Sequence, residues 1–148
     1  MTNRLGLLAA GLILLMAPPA AFAQGAQIAK VERISGEVTV ARGSEHAAAR
    51  TGDPLYEGDV VTTGAAGSIV IAFNDATSFT SGPNSELTLR QFQFNPQDST
   101  GSLLAEVKHG TLSVVSGKLV KGSPGGMKIK TPTAVLNVRG TTFLVKVD

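Results

Sequence analysis

From residue 24 onward the chain is dominated by alternation of apolar and polar positions with period two. Val38 and Val40 alternate with Glu37 and Thr39, and Leu112 and Val114 with Thr111 and Ser113. Met127, Ile129 and Thr131 alternate with Lys128 and Lys130, and Phe143, Val145 and Val147 with Leu144 and Lys146. Successive side chains of a strand point to opposite faces, so each run predicts a short β-strand. Ile69, Ile71 and Phe73 alternate with Ser68, Val70 and Ala72, which makes this segment apolar on both faces and predicts the most buried strand. Between Asn84 and Asn95 the phase slips: Leu87 and Leu89 hold one face, then Phe92 and Phe94 take it over. Such a slip predicts a bulge or bend.

Turn-forming clusters separate these runs. They include Arg42-Gly43-Ser44, Gly64 to Gly67, Asn74-Asp75-Ala76, Ser81 to Asn84, Asn95 to Ser102 and Gly122 to Gly126. Many short strands between such turns predict an all-β single compact domain, either a β-roll of solenoid-like kind or a β-sandwich. A short helical segment is allowed around Ala47 to Arg50. Gly36-Glu37-Val38 echoes Gly110-Thr111-Leu112, too weakly to define a repeat.

The first 23 residues follow another pattern. Arg4 gives a positive start, Leu5 to Ala17 form an apolar run, and Pro18-Pro19 end it before Ala21-Phe22-Ala23. These three zones predict a helical secretory signal peptide over 1–23, cut after Ala23. The alternative is a retained anchor, but a membrane span needs about 20 apolar residues and this run is shorter. The expected domain is then 24–148, exported to the periplasm with no integral membrane span. With no cysteine in the chain, neither a lipid anchor on cysteine nor a disulfide is available, and the core alone must hold the fold.

Charge is unevenly spread. Residues 24–100 carry five basic and nine acidic side chains, whereas residues 101–148 carry seven basic and two acidic. Lys118, Lys121, Lys128, Lys130 and Lys146 form a candidate basic surface for an anionic envelope polymer. The plainer reading is a solvated surface whose lysines keep strands soluble.

Catalytic patterns are lacking. There is no cysteine nucleophile, no Gly-x-Ser-x-Gly elbow and no Ser-x-x-Lys. Gly110 and Gly117-Lys118 miss the phosphate-loop spacing, and Leu119 replaces its Ser or Thr. His46 and His109 stand apart, while a zinc site needs three or four converging ligands. Asp53, Glu57 and Asp59 offer oxygen ligands for a hard cation, though their spacing fits no EF-hand loop, or Asp53 and Asp59 cap turns through backbone N–H groups. With no tryptophan and one tyrosine, Tyr56, the chain lacks a stacking platform for sugars or single-stranded nucleic acid. The expectation is a non-enzymatic protein with no cofactor and no nucleic-acid partner.

Five ordered motifs carry more information. They are Gly36-Glu37-Val38, Gly58-Asp59-Val60-Val61-Thr62-Thr63-Gly64, Pro83-Asn84-Ser85-Glu86-Leu87, Thr131-Pro132-Thr133-Ala134, and Val138-Arg139-Gly140-Thr141. With Asp75 after the apolar strand, the chain resembles the FecR domain family from about 31 to 147. The resemblance implies structural roles for Gly58, Asp59, Gly64, Asp75, Pro83, Ser85, Pro132, Arg139, Gly140 and Thr141. Gly58 and Gly64 are expected to supply backbone angles that other residues resist, and Asp59 to tie the turn between them. Arg139, a rigid five-donor fork, is expected to bond turn carbonyls or the carboxylate of Asp59 or Asp75. Ala76 departs from the family's usual glycine, which implies a different turn and a looser hairpin.

The best-known members of that family are iron-uptake regulators with a cytoplasmic sigma-factor-binding segment, a membrane helix and a periplasmic domain. This chain is expected to hold only the periplasmic module and nothing beyond it. The implied role is protein interaction, signalling or scaffolding with another envelope protein, through sheet edges or loops. The alternative is binding of peptidoglycan or lipopolysaccharide through the basic half.

Overall fold

The computed structural model describes residues 25–148; the expected signal segment lies outside the described residues. Twelve strands and one helical turn follow in order: β1 (Ala29–Ser35), β2 (Val38–Arg42), β3 (Glu45–Ala48), β4 (Pro54–Leu55), β5 (Val60–Thr63), β6 (Ser68–Phe73), β7 (Ser78–Ser81), β8 (Glu86–Asn95), β9 (Thr100–Val115), α1 (Lys118–Gly122), β10 (Met127–Lys130), β11 (Val135–Val138) and β12 (Thr142–Val147). The domain is all-β, as the alternation predicts. No helix of the described residues is long and apolar enough to cross a membrane.

The long strand β9 organises the sheet. Its first part, to His109, pairs with β8 on one side and with β10 on the other; its last part, Gly110 to Val115, pairs with β7 and β12. The sheet therefore has two halves that share β9. One runs β3-β2-β5-β8-β9-β10-β11 and the other β4-β1-β6-β7-β9-β12. Every pairing is antiparallel except β9 with β10. At the switch point Gly110 has φ +97°, and a Cβ there would collide with Ser85. Only glycine lets β9 turn from one half to the other so close to that neighbour.

The two halves curl over a single core as a half-barrel. The Phe73 ring on β6 meets Phe79 edge-on at 4.7 Å and Phe92 of the other half at 5.3 Å. Ile69, Ile71 and Phe73 are buried, but Val70 and Ala72 on the opposite face are only half-buried. The segment apolar on both sides thus has one core face, and among the described residues its other face is only partly covered.

The phase slip in β8 is a bulge. Leu89 pairs with Ala105 and Gln91 with Leu104, which leaves Arg90 outside the ladder. Leu87, Leu89 and Phe92 can then all face the core. The region from Ala47 is not helical: Glu45–Ala48 forms β3, because the turn at Gly43, φ +60°, folds it back onto β2. Pairing with β2 overrides the local helix propensity of the alanines.

The turn after Asp75 also differs from expectation. Ala76 itself takes the left-handed conformation, φ +69°, that a glycine would take. The hairpin is not loosened: Phe73 N–H donates to Thr77 C=O at 2.8 Å and Ala76 N–H to Phe73 C=O at 3.0 Å.

Candidate interaction surface

Two fully buried carboxylates hold the signature turns. Asp59 accepts two bonds from Arg42, from Nε at 2.8 Å and from a terminal guanidinium nitrogen at 2.7 Å, and a third from Tyr56 N–H at 2.9 Å. Arg42 lies 4.5 Å over the Tyr56 ring and donates to Pro54 C=O. Its hydrogen bond to Asp59 raises the guanidinium pKa further above its ordinary value. Ala41 pairs with Val60, so the register of β2 on β5 brings the next residue, Arg42, beside Asp59. Sequence reading missed Arg42, since only that register reveals it.

Asp75 is held without a cation. Its Oδ1 accepts from Thr77 N–H at 3.0 Å; its Oδ2 accepts from Thr77 Oγ1 at 2.7 Å and from Leu119 N–H at 3.1 Å. Its carbonyl accepts from Lys118 N–H at 2.9 Å, and Thr77 Oγ1 accepts from Gly117 N–H at 3.0 Å. Asp75 and Thr77 thereby dock α1, whose five residues are too short to show a helical period, onto the β6–β7 hairpin.

The expected role of Arg139 is not observed. Both acids have other partners, and Arg139 is exposed with no side-chain hydrogen bond or ion pair among the described residues. The motif around it works through backbone: Ser116 N–H donates to Thr141 C=O, and Ser116 Oγ to Gly140 C=O, both at 2.8 Å. Gly58 has φ +88°, as expected of that turn. Gly64 has an ordinary φ and is small for a different reason: its Cβ would press on Glu37 at 3.3 Å. In the Pro83 turn, Ser85 N–H donates to Thr63 Oγ1 at 2.9 Å, and Ser85 Oγ accepts from Thr111 N–H at 3.0 Å. Pro132 sits in the turn closed by Thr131 and Ala134.

Asp53 and Asp59 cap turns, as that reading expects, and Glu57 also bonds backbone. Besides Asp59, Asp53 accepts from Arg50 N–H at 2.8 Å and Glu57 from Phe92 N–H at 2.9 Å. Among the described residues no three His, Asp or Glu groups gather as metal ligands. His46 is exposed, and His109 Nδ1 lies 2.8 Å from Asn84 C=O.

What remains for an encounter is the flank formed by β10, β11 and β12. Lys128 and Lys130 lie on the outward face of β10, Lys118 and Lys121 are exposed on α1, and Lys146 is exposed on β12 near Asp148 at 3.7 Å. The five lysines are spread over three elements. Of the large apolar side chains left exposed among the described residues, Val135 and Leu136 lie on β11 and Leu144, at 70%, on β12, while Val115 ends β9 opposite Thr142 of β12. A cleft of about 370 Å3 opens between β11 and β12, lined by Pro132, Leu136, Val145 and Val147 among others.

A protein-family model described as "FecR protein" matches residues 59–148. The match begins at Asp59, so Gly36-Glu37-Val38 and β1 to β4 lie outside it. No curated protein matches the chain. A solved structure titled "Cell surface anchoring domain" is similar at 35% identity and a TM-score of 0.40, over 42% of this chain and 83% of that one.

Proposed function

The chain belongs to the FecR family, and from that premise we propose that it is a non-catalytic module of the cell envelope that binds another envelope protein. Residues 1–23 serve as the export signal in this reading, and 24–148 work in the periplasm. One contrast carries the reading. The signature polar groups Asp59, Asp75, Thr77 and Ser85 are spent on one another and on backbone inside the fold. Three of the four large apolar side chains left exposed among the described residues, Val135, Leu136 and Leu144, instead lie on β11 and β12. Such a molecule offers a surface for an encounter.

Cell fractionation with N-terminal sequencing, followed by lysine cross-linking in intact cells, tests this. The expected result is a periplasmic species starting at Gln24 and a defined cross-linked protein. A cytoplasmic, uncut chain or a strictly monomeric one would end the reading.

The excess of basic residues after Gly101 favours a second reading, binding of peptidoglycan or lipopolysaccharide. Salt-sensitive co-sedimentation with either polymer would support it, and none at low salt would remove it.

A further inference from the structure

β11 is an unprotected sheet edge. Among the described residues it pairs with β10 only, and its sequence Val135-Leu136-Asn137-Val138 holds no charge and no proline. Natural edges are usually blunted by such residues or by bulges. The hairpin closes with Thr131 N–H donating to Ala134 C=O at 2.8 Å. Hydrogen-bonded and non-hydrogen-bonded pairs alternate along an antiparallel ladder. From that closure, Ile129–Leu136 is a bonded pair, while Lys130–Val135 and Lys128–Asn137 are not. Val135 and Asn137 therefore turn their N–H and C=O groups outward, away from β10.

The two faces of this edge differ. Leu136 shares the inner face with Ile129 and lines the cleft beside Val145 and Val147. Val135 and Asn137 share the outer face with Lys130 and Lys128. Neither lysine has an ion-pair partner among the described residues. Glu106 of β9 stands opposite Lys130 but is bonded by Arg90, and from Val107 to Val147 the chain holds no acidic residue. A strand added to β11 would run about 4.8 Å from it and about twice that from β10. Long side chains on its outer face could reach the two ammonium groups, and its inner-face side chains would enter the cleft.

We propose that the free edge of β11 receives, as an added strand, an extended segment of a partner protein in which apolar and acidic residues alternate. This deepens the envelope-module reading and rests on it. Charge complementarity selects the occupant: a second copy pairing the same edge would offer Val135 and Asn137 on that face, and no acidic side chain, to Lys128 and Lys130.

The test uses the 24–148 protein and a fluorescent synthetic peptide of alternating valine and glutamate, with a valine–lysine peptide and inorganic polyphosphate as rivals. Binding of the valine–glutamate peptide alone is expected, weakened by salt. Asn137→Pro removes an outward N–H without touching a β10–β11 bond and should weaken binding about tenfold or more. Lys128→Gln with Lys130→Gln should weaken it without changing the circular dichroism spectrum. Should Asn137→Pro unfold the domain, a valine–glutamate peptide N-methylated on its backbone amides supplies the same test from the other strand, and its undiminished binding would overturn the proposal. Equal binding to Asn137→Pro, or polyphosphate binding as tightly, would overturn the proposal in favour of a general polyanion surface. If no peptide binds while cells still yield a cross-linked envelope protein, the edge proposal falls and the module reading stands.

Discussion

Replacing Asp75 by asparagine changes few atoms but strikes the junction of the β6–β7 hairpin with α1. The carboxylate accepts three side-chain-directed bonds, one at Oδ1 and two at Oδ2. An amide has only one oxygen. With that oxygen at the Oδ2 site, its NH2 faces Thr77 N–H; in the other orientation it faces Leu119 N–H. One buried donor is left without an acceptor either way, at about 1–3 kcal/mol. The surviving bonds drop from charge-assisted to neutral, roughly halving their strength. Relief from burying a charge offsets part of this, for a net loss of about 2–3 kcal/mol. Urea unfolding measures it: with a slope of about 1.5 kcal/mol/M, the midpoint should fall by roughly 1.5 M. Amide exchange should rise at Lys118 and Leu119 before it rises in the core. Thr77→Ser keeps the hydroxyl and should cost much less. An Asp75→Asn midpoint indistinguishable from wild type, with α1 still protected, would refute the reasoning.

Four further outcomes follow from the same contacts. Arg42→Met leaves the buried Asp59 carboxylate with Tyr56 N–H as its remaining donor; because Arg42 is partly exposed and water can enter, a loss of about 1–2 kcal/mol in urea unfolding is expected, and no loss would deny the latch. Ala76→Gly relieves a left-handed alanine, about 1–2 kcal/mol, against about 0.4–1 kcal/mol of added unfolded-chain entropy, so the midpoint should rise slightly; a fall would contradict the φ of +69°. Gly110→Ala meets both a positive φ and Ser85, and should cost about 3 kcal/mol or prevent folding; a stable, soluble variant would count against the bend in β9. The Arg90 hydrogen bond, helped by the Lys130 and Lys108 charges, lowers the Glu106 pKa. A lowered carboxylate pKa adds stability above the unfolded value, about 4.3, and that part is lost as pH falls through the folded value. Carbon-detected titration of Arg90→Leu should show Glu106 moving up toward that value, and an unmoved pKa would remove the pairing.

What was legible in the sequence followed the period of two. It located the strands at Val38, Ile69, Leu112, Met127 and Phe143, and the slip before Phe92 announced the bulge at Arg90. The turn-capping role of Asp53 and Asp59 followed from their side-chain chemistry alone. The long-range partners did not. Arg139 and Asp59 have opposite charges in matching motifs, but charge does not encode distance, and the register of β2 on β5 gives Asp59 to Arg42 instead. The helical turn α1 is set by Asp75, 43 positions before Lys118, and no local pattern reports such a dock. Ala76 shows the converse: the turn geometry holds although its residue disfavours it, because Thr77 and Asp75 overdetermine the hairpin. The free edge of β11 was equally hidden, since an edge is a property of the whole sheet order.

Site-specific photo-cross-linking in intact cells tests the account most directly. A photoreactive residue placed at Asn137 on β11 is compared with one at His46 on β3, at the far end of the same sheet half. The account predicts a discrete adduct with an envelope protein from position 137, lost in cells when Lys128 and Lys130 are neutralised, and no such adduct from position 46. No adduct from position 137, or the same adducts from both, would contradict it.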